Sequence, residues 1–387
     1  MQKVPEIFVV AGEPSADRHA ALLGEALRRS TDVSLRGIGQ SRMSAAGYEL
    51  LFDSSGWSGI GVVESLRRVP KLLGNMRTAA RHLLSRPPDL LVLVDFGAFN
   101  VRLARRLRPQ LDCPILYYFQ PGSWSRRADY TRLSGLVDHV ASPFSWSTEL
   151  LQRAGIEATW VGHPVLDRIA PPGARERSEL RSSFGLNDDN TIIGLLPGSR
   201  ATELRCNGPQ MLAAAATICS RIPNTHILLS VASNQAEGRL REMVRRAGLQ
   251  ERVTLVPGVA KIARAADLAI VSSGTATLEV AAAICPMIVV YVGTSLMSLE
   301  KRIRRFSIPH IGMPNIVAGE EVVPELVDRD ARGPTIARVA IDLLTDDAAI
   351  ETMRERLLQV REELGTPGVS DRVAALALDM IGKVEVR

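Results

Sequence analysis

The chain has 387 residues, 46% of them apolar and 23% charged, a length that exceeds one ordinary core and suits two globular domains. Its net charge of +5 favours acidic ligands such as phosphates or anionic lipid, while 4% aromatic residues leave few platforms for stacking bases, so nucleic acid is not an expected partner. Four scattered cysteines with no CxxC pair (Cys113, Cys206, Cys219 and Cys285) argue against a zinc or disulfide framework and for buried thiols in a reducing compartment.

In chain order, Ile7-Phe8-Val9-Val10-Ala11 reads as a buried strand running into a Gly-Glu-Pro-Ser turn. No long apolar run follows the basic start and no stretch reaches 18 apolar residues, so the expectation is a soluble or peripheral protein without a signal peptide. Short apolar runs predict strands at 6–12, 33–38, 89–95, 114–119, 137–141 and 158–161, then at 191–196, 226–231, 252–256, 268–272 and 287–292. Helical spacing fills the gaps, for example at 16–29, 102–108, 209–221, 239–247 and 275–284. Apolar strands alternating with helices imply parallel sheets covered on both faces, and the pattern occurs twice, giving an α/β chain of two doubly wound, Rossmann-like domains. Gly162-His163-Pro164 and Pro171-Pro172-Gly173 break helix and strand alike, so a hinge is expected within 163–175. The expected division is a first domain at 1–165, a second at 166–345 and a helical tail at 346–387.

Four stretches carry chemistry. Ala11-Gly12-Glu13-Pro14-Ser15-Ala16-Asp17-Arg18-His19 is a strand-to-helix turn bearing two carboxylates and a histidine, any of which could deprotonate a hydroxyl. Equally, Ser15 or Asp17 could cap the helix and His19 could sit at the surface. Residues 65–88 hold Arg67, Arg68, Lys71, Arg77, Arg81 and Arg86 with no acid, interleaved with Leu66, Val69, Leu72, Leu73, Met76 and Leu83. That is the pattern of an interfacial helix on anionic lipid, and also of an ordinary amphipathic helix with a basic outer face. Leu195-Leu196-Pro197-Gly198-Ser199-Arg200 is a strand entering a tight turn, where Gly198 lets backbone approach a ligand, Ser199 can donate to a phosphate and Arg200 can fork onto it. Ser272-Ser273-Gly274-Thr275-Ala276-Thr277-Leu278-Glu279 repeats the arrangement, opening a helix whose N-terminus favours anions, with Glu279 placed to grip ribose hydroxyls. Two such turns in one domain point to a nucleoside diphosphate; read separately, each is an ordinary strand-to-helix turn.

Taken in order, these motifs resemble the lipid-A-disaccharide synthase family. The matching pieces are Ala11-Gly12-Glu13-x-Ser15-x-Asp17, Val94-Asp95 with Phe99-Asn100, Pro121 with Trp124, and Val161-Gly162-His163-Pro164. They continue through Leu195 to Arg200 with Glu203, Ser273 to Glu279, Pro286-Met287, and Pro314-Asn315 through Ala318-Gly319 to Val323-Pro324-Glu325-Leu326. The series is collinear over nearly the whole chain. The resemblance implies the GT-B fold, two Rossmann-like domains facing a cleft, with the final helices returning to the first domain. It implies inverting transfer without metal or cofactor, from a UDP-activated acylated sugar donor to an acylated sugar phosphate acceptor. The products are a β-linked disaccharide and UDP, and the work is done at the inner face of the cytoplasmic membrane. An anionic membrane surface is then a partner, and a homodimer is one assembly the resemblance allows. The donor site falls on Gly198, Ser199, Arg200, Ser273, Gly274, Thr275, Ala276, Glu279 and Asn315, with Arg200 neutralising the leaving diphosphate, Glu279 holding ribose and Asn315 in a loop facing the same cleft.

The chain departs from the family at one telling place. The family's Asp-x-x-Asp-Phe-Asn reads Asp95-Phe96-Gly97-Ala98-Phe99-Asn100 here, so the second aspartate, a catalytic candidate, is replaced by Ala98. Residues 119–126 and the turn holding Pro14 and Ala16 also deviate. The remaining candidates for a general base are Asp95, His19, Asp17 and Glu13. The competing readings are a glycosyltransferase with a different acceptor, a UDP-sugar-binding protein that has lost catalysis, and a UDP-sugar 2-epimerase.

Overall fold

A computed structural model of the chain describes residues 4–57, 62–293 and 309–385. It comprises two compact units, Met1–Asp167 with Leu364–Arg387, and Arg168–Glu363.

The first unit is built on seven parallel strands: β1 (Glu6–Ala11), β2 (Ser34–Gly39), β3 (Glu49–Asp53), β4 (Leu90–Val94), β5 (Ile115–Tyr118), β6 (His139–Ser142) and β7 (Ala158–Trp160). They stand in the order β3-β2-β1-β4-β5-β6-β7, so the chain reverses its direction of winding between β1 and β4. Ile7, Val9 and Ala11 of β1 enter the core layer under helices Pro14–Ser30 and Val369–Glu385. Phe8 and Val10 enter the opposite layer, under helices Val62–Ser85 and Gly97–Leu107. β4 divides in the same way, Leu90, Val92 and Val94 against Leu91 and Leu93. Side chains alternate along a strand, so one covered on both faces must be apolar at every position. Each fully buried Leu, Ile or Val then contributes roughly 1.5–3 kcal/mol. β3 lies outside the sequence expectation because it is a half-buried edge strand with exposed acids, Glu49 and Asp53, at both ends.

Helix Val369–Glu385 joins this unit through Val369, Val373, Ala377 and Ile381, one residue per turn facing the sheet. Its N-terminus is capped by Asp167, whose carboxylate accepts the N–H groups of Gly368 (2.7 Å), Val369 (3.0 Å) and Ser370 (2.9 Å). Helix Asp347–Glu363 groups instead with the second unit, so the tail expected as one segment at 346–387 is split between the two.

The second unit contains β8 (Thr191–Leu196), β9 (Thr225–Val231), β10 (Val253–Pro257), β11 (Leu268–Ser272), β12 (Met287–Tyr291) and β13 (Glu325–Val327), all parallel in the order β10-β9-β8-β11-β12-β13. The winding reverses between β8 and β11. The three-residue β13 is again a half-buried edge with no apolar run to mark it. The helix expected from 209 begins at Ala201 and keeps Pro209 in its interior. Proline is favoured in a first turn, which made residue 209 look like a start. The true start is set by Glu203, which accepts the N–H of the N-cap residue Arg200 in a capping box.

Candidate active site

In open parallel sheets, ligands bind outside the carboxyl ends of the strands where the winding reverses. In the first unit that place is formed by the ends of β1 and β4, which carry Gly12-Glu13 and Asp95-Phe96. Asp95 and Phe96 are both left-handed, with φ of 48° and 43°. Such non-glycine residues cost on the order of 1–3 kcal/mol each and persist only when the surroundings hold them. The buried Asn100 does so, its side-chain amide donating to the carbonyls of Val94 (3.1 Å) and Asp95 (2.9 Å). Tyr117 Oη also donates to the Asp95 carbonyl, at 2.8 Å, and the Asp95 N–H donates to Tyr118. Gly12 is required by the same geometry: a Cβ there would lie 2.1 Å from the Phe96 ring.

This bend turns the Asp95 side chain away from the strand's alternation. Burial, reinforced by the neighbouring Glu13 carboxylate, pushes the Asp95 carboxyl up to about 6, against the lowering effect of the Phe96 N–H. A base with that affinity is mostly ionised at neutral pH yet takes a proton readily. The half-buried Glu13, the N-cap of helix Pro14–Ser30, makes no side-chain capping bond. The structure thus brings Asp95 and Glu13 together.

The other two candidate bases are engaged in the fold. Asp17 is buried and its carboxylate accepts the N–H groups of Gln40 (2.6 Å), Arg42 (3.1 Å) and Met43 (3.3 Å), so it caps helix Ser41–Ala45 rather than its own helix. His19 is not a surface residue: it lies on the buried face of its helix, its ring edge-on to Phe119 at 4.9 Å. Ala98 is exposed in the first turn of helix Gly97–Leu107 and offers no titratable group. We expect Asp17→Ala to lower stability by about 2–4 kcal/mol, because it strips three backbone donors of a charged acceptor. Urea unfolding measures the loss, and turnover per folded molecule falls less than tenfold if Asp17 is scaffold.

In the second unit the reversal lies between β8 and β11, and both phosphate-type turns stand at it. The N–H groups of Ser199 (3.1 Å) and Arg200 (3.2 Å) converge on one anion, the Glu203 carboxylate, which also holds Arg200 Nη1 at 3.1 Å. Gly198, at φ 106°, leaves the space that carboxylate occupies; a Cβ would come within 2.3 Å of Glu203 Oε2. The Arg200 guanidinium is 60% exposed and able to reach outward. Buried Asn207 joins the two turns, its amide donating to Ser272 Oγ at 2.8 Å and to the Pro197 carbonyl, and its oxygen accepting the Val292 N–H. Nothing in the sequence marks Asn207, which falls just before the helix expected from 209.

In the second turn Gly274 and Thr275 are exposed, while Ser273 Oγ donates to the Ile311 carbonyl at 2.7 Å. Ala276 opens helix Ala276–Ala282, in which Glu279 is buried and ion-paired to Arg168 at 3.2 Å. Asn315, expected in a loop, lies in the short helix Met313–Ala318. It is fully buried, donates to the Val323 carbonyl and Glu325 Oε1, and accepts the N–H groups of Val322 and Val323. An amide has two donors and two acceptor positions, so all four are committed to the loop at 322–325. Asn315 shapes that loop. Among the described residues, no group of three or more His, Cys, Asp or Glu is placed to hold a metal, and no helix is long and apolar enough to cross a membrane.

Residues 7–377 match the family model described as lipid-A-disaccharide synthetase. The lipid-A-disaccharide synthase of Geobacter sulfurreducens is 39% identical over 380 residues, covering 97% of each chain. Among solved structures, UDP-GlcNAc 2-epimerase from Neisseria meningitidis bound to UDP-GlcNAc is similar at a TM-score of 0.65 and 13% identity, covering 97% of this chain and 100% of that one. Sucrose-phosphate synthase from Thermosynechococcus elongatus is similar at 0.60 and 15% identity, covering 98% and 100%. At such identities the likeness concerns the fold, the GT-B architecture of two parallel-sheet α/β units.

Proposed function

The chain belongs to the lipid-A-disaccharide synthetase family, hexosyl-transferring enzymes of lipid A biosynthesis, and from that premise we propose that it moves a diacylglucosamine unit from UDP to diacylglucosamine 1-phosphate. The observation that carries the reading is Asp95, a strained, half-buried carboxylate with a raised proton affinity at the point where the first sheet reverses. In this reading the Asp95 carboxylate takes the proton of the acceptor hydroxyl as its oxygen bonds to the anomeric carbon. The bond from that carbon to the diphosphate oxygen breaks, and the electron pair leaves with UDP, with inversion at the sugar. Negative charge builds on the diphosphate, where Arg200 and the N–H groups of Ser199 and Arg200 stabilise it. Glu203 cedes those N–H groups to the diphosphate when the donor binds. Glu279 accepts ribose hydroxyls, and Gly274 and Thr275 border the same site.

Incubating the purified protein with both acylated substrates, and following UDP release and product mass, tests the proposal. The expected product is the disaccharide phosphate. Release of UDP only with some other acceptor redirects the acceptor assignment, isomerisation of the donor without acceptor identifies an epimerase, and UDP binding without turnover identifies a binding protein.

We also propose that the enzyme works as a peripheral protein on the cytoplasmic membrane's inner face, since both substrates are acylated. In helix Val62–Ser85 the side chains before Lys71 lie outside those described. Beyond it, Met76 and Leu83 are buried in the core, whereas Lys71, Arg77 and Arg81 are exposed. Most of the apolar side of this half is thus taken by the protein itself, and what faces outward is the charge together with Leu73, 41% exposed. Trp124, exposed between β5 and β6 beside Arg126 and Arg127, adds an interfacial aromatic residue. Each basic side chain at an anionic surface contributes about 1 kcal/mol, so replacing Arg77 and Arg81 with Gln should weaken sedimentation with anionic vesicles roughly 30-fold at low salt. Unchanged binding makes this face an ordinary solvated one.

A further inference from the structure

The short helix that carries Glu279 is held from outside itself. Helix Ala276–Ala282 has two turns, too few to be stable alone, and the first residues of the second unit fasten it at two places. Arg168 Nη1 meets Glu279 Oε1 at 3.2 Å. Arg361 Nη1 donates both to the Ile169 carbonyl (3.0 Å) and to the Ala282 carbonyl (2.7 Å), bridging the residue after Arg168 to the last residue of the helix. The Glu279 side chain is 7% exposed and that of Arg168 24%. A carboxylate so buried is costly without a partnered cation.

We propose that Arg168 is a positioning residue for the donor site: it holds the Glu279 side chain in the orientation in which its carboxylate can accept the ribose hydroxyls of the nucleotide. This rests on the ribose role given to Glu279 above, and the experiment separates the two. Calorimetry measures UDP and 2′,3′-dideoxy-UDP, which lacks the hydroxyls in question, against the wild type, Arg168→Gln, Arg168→Lys and Glu279→Gln, with thermal melts on each. The wild type is expected to prefer UDP by about 10–30-fold, a hydrogen bond to a charged group being removed in the dideoxy ligand. Arg168→Gln should bind UDP roughly tenfold more weakly and dideoxy-UDP within twofold of the wild type, so that the preference collapses. Arg168→Lys should restore most of it, and remains informative if the Gln variant does not fold. In turnover, Arg168→Gln should raise KM for the UDP-sugar and leave kcat within a few-fold.

Equal weakening of both ligands by Arg168→Gln overturns the proposal and leaves Arg168 a structural tie. Collapse of the preference in Glu279→Gln with its survival in Arg168→Gln overturns it as well, while keeping Glu279 on the ribose. A wild type that binds both ligands equally, or a preference that survives Glu279→Gln, removes the ribose assignment and the proposal with it.

Discussion

Asp95→Asn is expected to lower turnover by about 10²–10⁴-fold while leaving UDP affinity within twofold of the wild type, the effect of losing a positioned base but not the donor site. Asparagine tolerates the left-handed backbone that residue 95 adopts, so the bend at the end of β4 survives the exchange. The wild-type pH profile should show the same group. With the Asp95 carboxyl raised to about 6, kcat/KM falls tenfold per pH unit on the acid side of that value. Stability runs the other way. The folded-state value lies above the 3.8 of the unfolded chain, so the protonated form favours folding. That contribution is fully present below about pH 4 and is lost as pH rises through about 6. The difference is of order 3 kcal/mol, at 1.36 kcal/mol per unit. Asn resembles the protonated acid, so Asp95→Asn should be the more stable protein at pH 8 and no more stable than wild type near pH 3, as read from urea midpoints. Full turnover in Asp95→Asn removes Asp95 from the chemistry and passes the role to Glu13, the other carboxylate at that turn.

Arg200→Ala should reduce kcat by about 10²–10³-fold and weaken UDP binding by roughly 30-fold, or about 2 kcal/mol. The two numbers differ because charge on the diphosphate grows as the sugar leaves, so the guanidinium matters more in the transition state than in the bound donor. Folding should be little affected. The Arg200 side chain is 60% exposed and its pairing with Glu203 spans three residues of one helix end, an arrangement worth at most about 1 kcal/mol. Arg200→Lys should recover only part of the loss, since an ammonium lacks the planar fork that meets two phosphate oxygens. Calorimetry and turnover together decide the matter. Unchanged UDP affinity with unchanged kcat takes the turn at 197–200 out of the donor site.

The positions of the turns at the two sheet reversals are legible from local pattern. A strand buried on both faces reads as an unbroken apolar run, and the chain must turn where the run stops. The runs ending at Ala11, Leu196 and Ser272 therefore point to three of the four turns that stand where the two sheets reverse, and the turn after Val94 is singled out by the family resemblance. The edge strands β3 and β13 escaped because a half-buried edge requires no such run. The helix start at Ala201 rests on the bond from the Arg200 N–H to Glu203, a side-chain contact that the apolar pattern does not show.

What the amino-acid order by itself determined was the two-unit parallel α/β architecture and the places where its strands end in turns, because both follow from burial and turn chemistry within a few residues. Only the tertiary structure decided which polar side chains are available to a ligand. Asp17 is held by backbone donors 23 to 26 residues away, Asn315 by the loop it folds under, and Glu279 by an arginine 111 residues earlier. A carboxylate or amide looks the same in a sequence whether it is committed or available. Its hydrogen-bond partners come from elsewhere in the chain, and a buried polar group must find them there.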